Sequence, residues 1–192
     1  MVVKFFEIMF GKKNKYIHLE QAHNFRAPNV LVPLLIEKLK PESVLDVGCG
    51  NGTWLKVFQD KSLSIHGIDG HHVDPNKLYI SKEYFSAANL DEGFEVESKY
   101  DLAISLEVAE HLPESSAEIF IQSLTKSTEI VIFSAALPDQ GGQNHLNEQP
   151  PANWVDLFNA SGFACFDIIR PLIWDNEEVD WWYRQNMFVA VK

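Results

Sequence analysis

The stretch that decides the fold is Val44–Trp54, "VLDVGCGNGTW". An apolar run leads through Asp46 into three alternating glycines, and a helix pattern follows from Gly52. This order predicts a buried strand, a tight turn and a helix. Glycines let the backbone approach a ligand closely, and the helix start offers free N–H groups to an anionic group. The stretch therefore predicts a ligand site at the carboxyl end of a strand.

Apolar runs and helix patterns alternate on both sides of this stretch. Strand patterns lie at 43–47, 63–69, 100–106, 129–135, 163–169 and 186–192, with a short third strand region before 87–94, and helix patterns lie at 29–40, 52–60, 113–126 and 150–162. This alternation predicts an α/β fold with three layers, namely a doubly wound, mostly parallel seven-stranded sheet. No helix pattern separates the last two strands, so a hairpin with its connection at 174–186 is expected, and the last strand is predicted to be antiparallel.

The bulk properties of the chain predict one globular domain. The chain has 192 residues, of which 46% are hydrophobic. That length suits one sizeable core. We expect residues 41–192 to form the ligand-binding domain and residues 1–40 to form an N-terminal helical segment that covers the site.

Charge and cysteine content limit the partners and the compartment. The net charge is −11, and phosphate backbones repel such a surface, so nucleic acid is an unlikely partner. The two cysteines, Cys49 and Cys165, form no disulfide framework and indicate a reducing compartment. The apolar start of the chain is short and interrupted by charges, so no membrane span is expected. We predict a cytoplasmic monomer or homodimer, and a partner protein remains an open alternative.

Two cofactor classes use a strand, a glycine turn and a helix in this order. A dinucleotide site requires a third glycine at position 53, which is Thr53 here, and Asp46 fits poorly beside a pyrophosphate. Asp46 suits a cofactor with a positive end better. The second strand ends in Asp69, about twenty residues later, where a carboxylate can bind ribose hydroxyls.

With these motifs, the sequence from about Pro41 onward resembles the class I S-adenosylmethionine-dependent methyltransferases. In that family a D-x-G-C-G-x-G motif holds the methionine part of the cofactor, and the acid after the second strand holds the ribose. The resemblance implies S-adenosyl-L-methionine as cofactor and carries over to the positions Asp46, Gly48, Cys49, Gly50, Gly52, Asp69, Gly70, Asn89, Leu90, Leu106 and Glu107. Arg26 is expected to close over the cofactor carboxylate, with a surface cation as the equal alternative.

The segment "EVAEHL" (Glu107–Leu112) carries a second candidate site. On a helical turn Glu107, Glu110 and His111 would share one face. The pattern E-x-x-E-H is similar to that of the ubiquinone-biosynthesis O-methyltransferases and of enzymes that methylate the 3′-terminal ribose of small RNAs. In the latter it binds a divalent metal together with a later histidine, so the resemblance implies Glu107, Glu110, His111 and His145 as metal ligands. The alternative is that His111 only lines the pocket.

The loop "GGQNHLNEQ" (Gly141–Gln149) is the candidate acceptor loop. It follows the fifth strand, beside the loop after the fourth, where this type of sheet builds its acceptor site. His145 is the first candidate for a general base and His111 the second. The two glycines permit closure as a lid, and Glu148 is expected to cap the following helix.

The resemblance, carried by these residues, implies a methyltransferase that uses S-adenosylmethionine. The acceptor is expected to be a hydroxyl, less readily an amine, of a small polar metabolite or sugar-type intermediate. Two alternatives stay open: a metal-assisted O-methyltransferase, and a cofactor-binding subunit that is inactive without a partner. A dinucleotide-dependent reductase is disfavoured by Thr53.

Overall fold

The computed structural model describes residues 24–192 and confirms the predicted α/β architecture. Seven strands form one sheet: β1 (Ser43–Val47), β2 (Ser64–Asp69), β3 (Phe85–Ala87), β4 (Leu102–Leu106), β5 (Ile130–Ser134), β6 (Ala164–Phe166) and β7 (Phe188–Val191). Their order across the sheet is β3-β2-β1-β4-β5-β7-β6. The first five strands are mutually parallel, and β7 runs antiparallel to both β5 and β6, as the missing helix pattern predicted.

Helices cover both faces of this sheet and make the predicted three layers. They are α1 (Arg26–Leu39), α2 (Thr53–Asp60), α3 (Ala117–Ser127), α4 (Pro151–Ala160), α5 (Arg170–Ile173) and α6 (Trp181–Asn186). Alternate residues of one strand enter different cores: Leu102 packs with α1 and α2, whereas its neighbour Ala103 packs with α3 and α4. Because successive side chains of a strand point to opposite faces, the continuous apolar runs of β1, β4 and β5 serve two cores at once.

The connection between β6 and β7 differs from the predicted plain hairpin. Residues 174–186 contain α6, and α5 lies just before them. Within α6, Tyr183 is buried, and its ring lies 5.4 Å from that of Trp54 at an edge-to-face angle. Helices of four and six residues are too short to leave a periodic apolar pattern, so the sequence did not reveal them. The strand predicted at 163–169 is also shorter, because only Ala164–Phe166 pairs with β7.

The N-terminal segment predicted at residues 1–40 is described only from residue 24 onward. In that part α1 begins at Arg26 and packs against α2 through buried Leu31 and Leu35. Residues 1–23 lie outside the described part, so the division at residue 40 stays a prediction. Within residues 24–192, no helix combines the length and apolar character that a membrane crossing requires.

Candidate active site

A cavity of about 910 Å³ opens at the carboxyl ends of the parallel strands. Such a volume suits a cofactor together with part of a small acceptor. One side holds most of the predicted cofactor residues: Asp46, Gly48, Cys49, Asp69, Gly70, Asn89 and Leu90. The other side holds Leu106, a predicted cofactor residue, and the predicted acceptor and metal residues Glu107, Glu110, His111 and His145. Residues that are up to 99 positions apart in the chain thus meet in one site.

The turn after β1 depends on glycine at position 48. Gly48 has a φ of 83°, and its N–H donates to the carbonyl oxygen of Ile68 at 2.7 Å. A Cβ at this position would overlap the side chain of Val108. The backbone at Gly48 therefore passes directly between β2 and the turn after β4.

Two of the predicted cofactor glycines act behind the cavity wall. Gly50 and Gly52 are not among its lining residues. The N–H of Gly50 instead donates to Oδ2 of Asp69 at 2.6 Å, and Gly52 precedes the first residue of α2. Gly50 therefore acts through Asp69, and Gly52, with a φ of 78°, makes the turn into α2.

Asp69 is held rigidly at the end of β2. Its Oδ2 accepts the bond from Gly50, and its Oδ1 accepts the N–H of Gly70 at 2.6 Å. Burial raises the pKa of Asp69, while these two hydrogen bonds and the nearby His72 oppose the rise. The carboxylate is thus oriented by backbone before any ligand binds, as the predicted ribose contact requires.

Asp46 is a buried carboxylate with an unused oxygen. The residue is 3% exposed, and its Oδ2 has no hydrogen-bond partner among residues 24–192. Burial, and then repulsion by Asp69, holds the pKa of Asp46 well above its usual range. A cationic group of a ligand would supply the missing partner and lower that pKa.

Glu107 lines the cavity where β4 ends. It has a left-handed φ of 56°. Its carboxylate accepts hydrogen bonds from Nε2 of Gln140 at 2.9 Å and from Nδ2 of Asn186 at 3.1 Å. Burial raises the pKa of Glu107, and the bonds from Asn186 and Gln140 oppose that rise. The sequence analysis missed Gln140 and Asn186, because no local pattern joins positions that lie 33 and 79 residues from Glu107.

The predicted cluster of metal ligands is smaller than the sequence suggested. One ligand atom each from Glu110, His111 and His145 lie within 4.8 Å of one another, and Glu107 is not part of this group. The predicted shared face with Glu107 is wrong, because the helical turn spans only Ala109–His111 and Glu107 lies outside it with a positive φ.

Glu110 is the most deeply buried member of this cluster. It is 0% exposed, and within residues 24–192 neither carboxylate oxygen has a hydrogen bond of good geometry, although the backbone N–H groups of Glu110 and Ala136 act to lower its pKa. Burial, and then repulsion by Glu107, holds the pKa of Glu110 well above its usual range. A divalent cation suits such a carboxylate beside two imidazoles.

Glu148 organises the acceptor loop. Its carboxylate accepts the N–H groups of Asp139 and Gly141, both at 2.8 Å, and its Oε1 lies 2.7 Å from Nδ1 of His145. The expected capping of the next helix is wrong, since α4 follows Pro150 without any side-chain cap. Glu148 turns back into its own loop because that loop offers it three donors.

The same loop is docked on the turn that carries His111. The carbonyl oxygen of Glu110 accepts the N–H groups of Leu146 and Asn147 at 2.8 and 3.0 Å. The rings of His111 and His145 lie 4.9 Å apart, edge to face. A Cβ on Gly142 would overlap the imidazole of His145, so a glycine there leaves room for that ring. The predicted approach of His145 to His111 is therefore present.

Arg26 lies away from the cavity in this structure. Its guanidinium donates to the carbonyl oxygen of Glu177 at 2.6 Å and to Oε2 of Glu178 at 3.3 Å. It is not among the residues that line the cavity. This placement agrees with the surface alternative for Arg26, and its contact with a cofactor carboxylate stays a prediction.

A family model described as a methyltransferase domain matches residues 18–185. Since the match covers most of the chain, the protein belongs to this methyltransferase family, and it is a class I enzyme dependent on S-adenosylmethionine. A search of curated proteins finds no match.

Solved structures share the fold at low sequence identity. DesVI from Streptomyces venezuelae is 12% identical with a TM-score of 0.65, and the alignment covers 100% of this chain and 98% of that one. Magnesium protoporphyrin IX methyltransferase from Synechocystis PCC 6803, solved with bound S-adenosylhomocysteine, is 16% identical with a TM-score of 0.62, covering 100% and 94%. CalS10 from Micromonospora echinaspora, an amino pentose methyltransferase solved with S-adenosylmethionine, is 12% identical with a TM-score of 0.65, covering 94% and 99%.

Proposed function

We propose that this enzyme transfers the methyl group of S-adenosylmethionine to a hydroxyl of a small polar metabolite or sugar-type intermediate, with His145 as general base. The observation that carries the proposal is the 2.7 Å contact between His145 Nδ1 and Glu148 Oε1 beside the cavity. A carboxylate at Nδ1 selects the tautomer that leaves Nε2 free to accept a proton. An amine acceptor is the less favoured form of the same proposal.

The residues of the chain divide the work between binding and proton transfer. Asp46 holds the methionine part of the cofactor and Asp69 holds its ribose, and the cofactor supplies an activated methyl group when bound. The acceptor loop positions the acceptor hydroxyl on the side of His145. In-line alignment and exclusion of water provide most of the acceleration in such a displacement. As the new bond forms, the hydroxyl proton passes to His145, and the charge of Glu148 stabilises the resulting imidazolium.

A second candidate is a metal-assisted O-methyltransferase. The buried carboxylate of Glu110, close to His111 and His145, supports it. These three residues would hold a divalent ion, and such an ion lowers the pKa of a bound hydroxyl as a Lewis acid. His145 cannot serve as base and as ligand through the same nitrogen, so the two candidates exclude each other.

The test combines binding with product analysis. We expect S-adenosylhomocysteine to raise the unfolding temperature, because a ligand of the native state stabilises it by mass action. Matched pairs of hydroxyl and amine acceptors, incubated with S-adenosylmethionine labelled in its methyl group, then show by mass spectrometry which atom is methylated. Methylation of amines alone would refute the hydroxyl acceptor. Cofactor binding without turnover on any acceptor would favour a subunit that needs a partner.

A further inference from the structure

Glu107 lies between the two halves of the cavity. Its strand, β4, stands between β1, which carries Asp46, and β5, which leads into the acceptor loop. Asp46, Glu107 and His145 all line the same cavity. A methyl group that moves from a cofactor beside Asp46 to an acceptor beside His145 therefore passes close to Glu107.

Two amide side chains aim the carboxylate of Glu107. Asn186 Nδ2 donates to Oε1 at 3.1 Å and to Oε2 at 3.3 Å, and Gln140 Nε2 donates to Oε2 at 2.9 Å. Asn186 also donates to Oε1 of Gln140 at 2.9 Å, which closes a triangle of three side chains. Asn186 is 5% exposed and does not line the cavity, so it reaches the site only through its partners.

The side chains of Asn186 and Gln140 stabilise the negative charge of Glu107 but do not neutralise it. Both are neutral amides, and their hydrogen bonds oppose the rise in the pKa of Glu107 that burial causes. Within residues 24–192, the titratable groups that interact electrostatically with Glu107 are Glu110, His145 and Tyr183. A positive charge on a bound ligand would thus find an oriented carboxylate at this point.

We propose that Glu107, held by Asn186 and Gln140, makes the enzyme distinguish positively charged S-adenosylmethionine from neutral S-adenosylhomocysteine. The sulfonium of the first carries a positive charge, which leaves with the methyl group. An adjacent carboxylate attracts the sulfonium and loses that attraction once the thioether has formed. The carboxylate of Glu107 thereby favours replacement of bound S-adenosylhomocysteine by S-adenosylmethionine. Asn186 is the residue that positions this carboxylate. The inference rests on the proposed methyl transfer in this cavity.

The experiment compares three ligands by calorimetry: S-adenosylmethionine, S-adenosylhomocysteine, and an analogue with an amine in place of the sulfonium. Glu107→Gln keeps the shape and removes the charge. We expect it to lower the ratio of the affinity for S-adenosylmethionine to the affinity for S-adenosylhomocysteine by roughly tenfold or more. The affinity for the protonated amine analogue should fall together with that for S-adenosylmethionine. Asn186→Ala should lower the same ratio by a smaller factor, because the carboxylate stays but loses its orientation. The control is Asn153→Ala, an exposed asparagine on α4 that should leave the ratio unchanged.

The outcomes separate charge discrimination from a structural role. An unchanged affinity ratio in Glu107→Gln overturns the inference. The inference also fails if Glu107→Gln and Asn186→Ala weaken the binding of S-adenosylmethionine and S-adenosylhomocysteine by equal factors. Should Asn186→Ala fail to fold, Gln140→Ala reaches the same carboxylate from the loop and must lower the ratio instead. Wild-type protein that binds neither ligand contradicts the proposed cofactor site itself, whereas intact binding with an unaltered ratio in the variants overturns only the role of Glu107.

Discussion

Nδ1 of His145 lies 2.7 Å from Oε1 of Glu148, and both residues belong to one loop that also binds Glu148 through two backbone N–H groups. The loop thereby builds its own histidine–carboxylate pair. The hydrogen bond with His145 makes the largest contribution to lowering the pKa of Glu148, so Glu148 keeps its negative charge in the loop. The pair is oriented before an acceptor binds, which is the condition for efficient proton transfer.

The first prediction concerns this pair. His145→Ala should slow turnover by roughly 10²–10⁴-fold, the usual range for a lost general base, while cofactor affinity stays nearly unchanged. Glu148→Gln should slow turnover less, because the base remains but its imidazolium loses a charged partner. Steady-state kinetics, with calorimetry for the cofactor, measures both. A His145→Ala enzyme with normal turnover and an unaltered pH profile would make His145 a purely structural residue.

The second prediction concerns the ribose site. Asp69→Ala should weaken S-adenosylmethionine binding by roughly 10–100-fold, because hydrogen bonds to a charged group contribute about 1.5–3 kcal/mol. Asp74→Ala is the matched control, since Asp74 is an exposed aspartate outside the cavity lining. Calorimetry gives both affinities. Equal affinity in the two variants would remove Asp69 from the cofactor site.

The third prediction tests the buried charge of Asp46. The folded-state pKa of Asp46 is raised by burial, so the native state binds more protons than the unfolded state above about pH 4, the ordinary range of an aspartate. Stability of the ligand-free protein should therefore fall as pH rises above that range. Asp46→Asn should flatten this fall and raise the unfolding temperature at neutral pH, yet reduce the stabilisation by S-adenosylmethionine. Thermal unfolding across pH, with and without cofactor, measures both the rise in unfolding temperature and the reduced stabilisation by S-adenosylmethionine.

The fourth prediction compares two glycines with the same backbone conformation. Gly48 and Gly162 have φ angles of 83° and 82°, but only at Gly48 would a Cβ overlap a neighbour, the side chain of Val108. Gly162→Ala should cost about 1–2 kcal/mol from backbone strain alone. Gly48→Ala should cost about 1–3 kcal/mol more, because the methyl group also overpacks the turn. Urea unfolding measures the loss of unfolding free energy in each variant. Equal losses would show that the side chain of Val108 moves aside without a measurable cost.

The fifth prediction decides between the two forms of the reaction. If Glu110, His111 and His145 hold a divalent ion, elemental analysis should find metal in the purified protein, and Glu110→Gln should release it. A chelator should then abolish transfer while cofactor binding survives. Activity that persists in chelator, in protein without metal, would leave the metal-free mechanism with His145 as base.

Local patterns in the sequence determined most of the architecture, and most of the residues that the resemblance assigned to the cofactor line the cavity. The run from Val44 to Trp54 predicted strand, turn and helix, because glycine conformation and apolar periodicity act over a few neighbouring residues. Asp69 followed in the same way from its place at the next strand end. These predictions depend only on neighbouring residues and not on distant contacts, so they can be made from a single sequence.

Only the tertiary structure decided how the acceptor side is assembled. Glu107 leaves the expected helical face because its φ is positive, and it joins Asn186 from the far end of the chain. Glu148 turns into its own loop instead of capping α4, since three donors converge there. Arg26 lies against the residue pair Glu177–Glu178 and away from the cavity. Partners such as these are chosen by the packing of the whole chain, and no local period in the sequence records contacts between residues so far apart.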